Sequence, residues 1–173
     1  MTRFLGLGVA ALAISISASA QTTRPTSTLF DRLAGRWILR GVIAGQQTVH
    51  DVDVTRVLNG GYMRMHEVSR EKDAKGTPAY EAIVFISVDA QTGEYACLWL
   101  DTTSNAGLSA TAAVGRGTPD GNSIPLIFNA GKPGEFHTTF TYEPRSNSWQ
   151  WVMDERSVEI VRPFARVELT RRK

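Results

Sequence analysis

The chain has 173 residues, with 19 Lys and Arg against 17 Asp and Glu and a formal net charge of +2. Charges of both signs are scattered, so there is no basic stripe of the kind that tracks a nucleic-acid backbone; the one basic run, Arg171-Arg172-Lys173, reads as a solvated terminus. Cys97 is the single cysteine, which excludes an internal disulfide, and its apolar surroundings make it a small buried hydrophobe rather than a reactive thiol.

Residues 1–20 read as a signal peptide. Arg3 supplies the positive start, Phe4 to Ile16 is apolar, and Ala18-Ser19-Ala20 is a small-x-small cleavage site. The apolar stretch is too short for a membrane span, and no cysteine follows it for lipid attachment. Cleavage leaves a mature chain of 173 − 20 = 153 residues beginning at Gln21, exported to the periplasm or beyond. Residues 21–27 form a flexible leader, and 28–173 a single domain. The mature chain contains no integral membrane segment.

Ser27 or Thr28 can cap a short helical turn through Leu33, with Leu29, Phe30 and Leu33 on one face. Such a turn closes one end of a barrel. From Gly35 onward the pattern is all β. Turns are signalled at Asn59-Gly60-Gly61, Asp73 to Gly76, Asp89 to Gly93, Ser104 to Gly107, Thr118 to Gly121, Gly131 to Gly134 and Pro144 to Ser148. Between them fall ten candidate strands, near 36–44, 47–58, 62–71, 79–88, 94–103, 108–116, 123–129, 135–143, 149–158 and 164–171. No helix-period stretch is long enough for a βαβ crossover, which excludes parallel α/β folds.

Parity supplies the architecture. Tyr80, Ala82, Val84, Ile86 and Val88 share one apolar face, as do Phe136, Thr138, Phe140 and Tyr142, and again Trp149, Trp151 and Met153. The opposite faces carry Glu81, Ser87, Asp89, Glu143, Gln150, Asp154 and Arg156. One wet and one dry face per strand is what an antiparallel sheet curled on itself requires. The expected fold is an all-β, single antiparallel up-and-down barrel of about ten strands. Pro125 inside a strand predicts a bulge or a seam at that point.

These residues resemble a known group. Gly35-Arg36-Trp37 on a first strand behind a short helix resembles the lipocalin-like (calycin) barrels. Phe85 to Asp89, followed after a turn by Glu94 to Asp101, is similar to an exported bacterial family of unknown function; the strand count is similar to the fatty-acid-binding and nitrobindin branches. The resemblance implies a barrel with an internal cavity and leaves the ligand open. The haem of nitrobindins would need a histidine in the C-terminal half, where His137 lies on the face opposite Phe136 and Phe140 and is expected in solvent.

Motifs of familiar chemistry are incomplete. His66-Glu67-Val68-Ser69-Arg70 begins like a zinc-protease helix but has Arg70 at the fifth position and sits in a strand pattern. His50-Asp51-Val52-Asp53 alternates, separating His50 from the two carboxylates, and reads as a solvated strand face. Gly115-Arg116-Gly117 lacks the rest of a phosphate loop, and no Gly-x-Ser-x-Gly elbow occurs. Neither a metal nor a cofactor is called for. Asp101 shares parity with Trp99, which places it near a barrel mouth, either as a proton-transfer group or arginine partner, or as a cap for the turn after it.

Three functions remain open. The leading one is binding of a small apolar or amphipathic molecule by Trp37, Met65, Tyr80, Trp99, Phe140 and Trp151. The second is an enzyme in the same barrel, with Asp101 and His66 or Glu67 moving protons. The third is an envelope interaction module with a filled barrel.

Overall fold

The computed structural model describes residues 28–103, 114–131 and 134–173. The expected signal peptide and leader, the turn at Ser104 to Gly107 and most of the strand expected near 108–116 lie outside these residues. Helix α1 (Thr28–Leu33) is followed by ten strands: β1 (Gly35–Ile43), β2 (Gln46–Val57), β3 (Tyr62–Ser69), β4 (Glu81–Val88) and β5 (Tyr95–Asp101); then β6 (Val114–Gly117), β7 (Ser123–Phe128), β8 (Glu135–Glu143), β9 (Ser148–Arg156) and β10 (Val161–Arg171). Each strand pairs antiparallel with its chain neighbours, and β1 pairs with β10 to close the barrel. The architecture is consistent with a calycin-like fold. No described helix is long and apolar enough to cross a membrane.

Alternation decides what enters the barrel. On β3 the inward residues are Met63, Met65, Glu67 and Ser69; on β9, Trp149, Trp151 and Met153. The end near α1 is packed solid: Leu29, Phe30 and Leu33 are buried, and Phe30 meets Tyr95 edge-on at 5.5 Å between ring centroids. Burying a side chain of this size contributes about 1.5–3 kcal/mol, which is why so short a helix stays docked.

The closure explains Gly35-Arg36-Trp37. Trp37 is fully buried, and its indole Nε1–H donates to the Leu33 carbonyl at 2.8 Å, holding the last turn of α1. Gly35 has φ of +133°, and a Cβ there would run into the Arg171 guanidinium. Arg171 lies across the Trp37 ring, and Arg172 pairs with Asp51 at 3.3 Å. The terminal basic run, expected as a solvated tail, thus carries two arginines with structural contacts.

Pro125 marks a seam. β7 keeps an unbroken register with β8 from Ser123 to Phe128 but meets β6 at one register pair, Arg116 with Ile127. Gly117 makes the approach possible, because a Cβ there would strike the Pro125 carbonyl oxygen. A register shift does occur elsewhere, between Pro163 and Ala165 of β10. The β1–β2 hairpin turns on Ala44 and Gly45, both at positive φ; it carried no Asn-Gly or Pro signal in the sequence.

Candidate functional site

The end opposite α1 is hollow. A cavity of about 540 Å³ opens there, within the roughly 300–1,000 Å³ usual for small-molecule sites. Its aromatic wall consists of Tyr80, Trp99, Phe128, Phe136 and Phe164, joined by Ile43 and Met153. Phe136 meets Phe164 and Phe128 edge-on, at 5.3 and 6.4 Å between centroids. Gly115 keeps Phe128 in place, since a Cβ there would come within 2.7 Å of that ring. Among the described residues, the charged or titratable lining groups other than Tyr80 are His50, Glu67 and Asp101.

Of the expected ligand-binding residues, Tyr80 and Trp99 line this space. Met65 and Trp151 lie one inward step deeper along their strands and Phe140 two, and all three are fully buried. Trp151 stacks on Phe140 at 4.4 Å, tilts against Trp99 at 5.5 Å, and donates its Nε1–H to Thr138 Oγ1 at 2.6 Å. That layer is the cavity floor. Trp37 sits at the far, packed end.

Of the expected proton-transfer residues, Glu67 and Asp101 line the cavity. His66 is on the outer surface, its Nε2 2.7 Å from Glu81 Oε1, because neighbours in a strand face opposite ways. Asp101 Oδ1 accepts from the Thr103 amide at 2.8 Å and the Thr103 hydroxyl at 2.6 Å, so it caps the strand end while standing at the mouth. His137 is outward, beside Glu135 at 2.8 Å.

His50 is the residue that sequence reading misplaced. It is not on a solvated face: it is buried on the cavity wall, while Asp51 and Asp53 face outward. The signal was present, since His50 shares parity with Val52 and Val54, both buried. His50 Nδ1 makes a short contact with Glu67 Oε1, its Nε2 lies 2.7 Å from Thr48 Oγ1, and the Thr48 hydroxyl reaches Glu71 Oε2 at 3.0 Å. Glu67, buried at 1% exposure, has no hydrogen-bond partner for Oε2 among the described residues.

Hydrogen counting along this chain fixes the proton. Burial alone would raise the Glu71 carboxyl, but hydrogen bonds from its own amide, Thr48 and Val49 hold it below the ordinary range, so it only accepts. The Thr48 hydroxyl therefore donates to Glu71, and His50 Nε2–H must donate to Thr48. One further proton is then shared between His50 Nδ1 and Glu67 Oε1.

Tyr80 completes the polar corner. Its ring stacks on His50 at 5.6 Å and 23°, and its hydroxyl oxygen accepts the Trp99 Nε1–H at 3.2 Å. Burial, then the charges of Glu67 and Asp101, hold the phenol far above its ordinary range, so the O–H keeps its proton to donate. Cys97 is buried below, its thiol pushed up to about 12 by burial. Among the described residues no group of three or more His, Cys, Asp and Glu could hold a metal ion. No protein-family model matches this chain, and no curated protein matches it.

Proposed function

We propose that this chain is an exported, lipocalin-like binding protein for a small amphipathic molecule. The observation that carries the reading is the cavity itself: apolar over most of its wall, with five aromatic rings, yet holding His50, Glu67 and Tyr80 in one corner. Burying roughly 200 Å² of apolar ligand surface contributes about 5 kcal/mol before the costs of ordering. The polar corner orients the ligand. Export rests on Arg3, the apolar run and Ala18-Ser19-Ala20. The uncharged fluorophore N-phenyl-1-naphthylamine tests the reading: it should bind at a single site and perturb tryptophan emission through Trp99. Absence of saturable binding would refute it.

A second reading is favoured by the relay from Glu67 through His50 and Thr48 to Glu71, which links the cavity wall to the exterior. In it, Glu67 takes a proton from a bound substrate and Tyr80 O–H stabilises the developing oxyanion. Hydrogen–deuterium exchange at the α-carbon of bound ketones measures this, and exchange unchanged in Glu67→Gln would exclude it.

A further inference from the structure

Resting on the binding reading above, we infer that the ligand is a cationic amphiphile: an apolar body with a protonated amine or comparable cation at its head. The charged residues at the cavity are acidic. Glu67 stands on the wall and Asp101 at the mouth, and among the described residues no Lys or Arg lines the space. This is selective placement, because Lys and Arg outnumber Asp and Glu in the chain, 19 to 17.

The proton shared by His50 and Glu67 leaves that pair without net charge, and Asp101 adds a second carboxylate at the mouth. Glu67 Oε2 is a buried acceptor with no donor among the described residues, and a buried acceptor left unmatched is costly. Tyr80 and Trp99 line the space with these carboxylates, and aromatic rings attract a desolvated cation. A carboxylate head group of equal chain length meets the same walls, the like charge of Asp101 and the acceptor Oε2 of Glu67.

Matched head groups test this without altering the protein. Decylamine, decanol and decanoate bury the same chain, so their displacement of N-phenyl-1-naphthylamine differs only through the head. Decylamine should displace the fluorophore at concentrations about tenfold below those needed for decanoate. Asp101→Asn, at the rim, should reduce that preference, and adding Glu67→Gln should bring it below about threefold, each preference being read against that variant's own affinity for the fluorophore. Decanoate equal to or better than decylamine overturns the inference, as does a preference undiminished in Asp101→Asn. In both cases binding of the fluorophore leaves the binding reading standing. Failure of the unmodified protein to bind the fluorophore removes that reading and this inference together.

Discussion

The guanidinium carbon of Arg171 lies 3.8 Å from the centre of the Trp37 ring, joining the last strand to the first. The same guanidinium donates to the carbonyls of Ala34 at 2.8 Å and Arg32 at 3.3 Å, where α1 runs out of internal partners. One side chain thus seals the barrel seam and caps the plug.

Arg171→Ala should therefore destabilise the fold by about 1–2 kcal/mol, combining a lost cation–π contact with lost charged hydrogen bonds. Urea unfolding measures it. Arg171→Lys should recover only part, because an ammonium cannot stack flat and reach two carbonyls. Full recovery by lysine would argue against this geometry.

Floor and wall should separate on mutation. Trp151→Ala removes a fully packed residue and should cost about 3–5 kcal/mol. Phe164→Ala, half-buried on the cavity wall, should cost about 1 kcal/mol and weaken N-phenyl-1-naphthylamine binding by about tenfold. Equal stability losses for the two would mean that the wall is packed like the floor.

The His50–Glu67 pair should behave as a coupled unit. His50→Leu leaves a buried carboxyl without its partner and should cost about 3–5 kcal/mol. The His50→Leu/Glu67→Leu double variant should be more stable than the sum of the single losses, by about 1 kcal/mol or more. Strict additivity in chemical denaturation would show that the two residues do not interact.

Acid should weaken the fold through its paired surface carboxylates. Arg70 hydrogen-bonded to Asp51 holds that carboxyl below its ordinary range, and the Gly131 amide and His137 do the same for Glu135. A folded-state pKa lowered in this way contributes stability above the unfolded value of about 4, lost as pH falls through the folded one. Unfolding midpoints should fall between about pH 5 and pH 3, and less so in Asp51→Asn. Asp51 is 37% exposed at its side chain, so salt should shrink the difference.

Export is checked directly. N-terminal sequencing of the mature protein should begin at Gln21, and recovery of the intact Met1 end from a cytoplasmic pool would refute it.

Period-two alternation and turn residues were enough to read ten antiparallel strands, because one wet and one dry face per strand is a local property of the sequence. They also placed Tyr80, Trp99 and Asp101 on inward faces, while leaving His66 and Glu67 as alternatives. Depth along the barrel was a different matter. Trp37, Trp99 and Trp151 share an inward parity, yet one closes the bottom, one lines the cavity and one forms the floor, and only the register of neighbouring strands sets that height. His50 shows the same limit from the other side. Its parity was inward, but a histidine at an apolar position gains its meaning only when β2 pairs with β3 and brings Glu67 beside it, 17 residues on. The faces were decided by neighbours in sequence; the corner where a ligand's head would sit was decided by neighbours in the sheet.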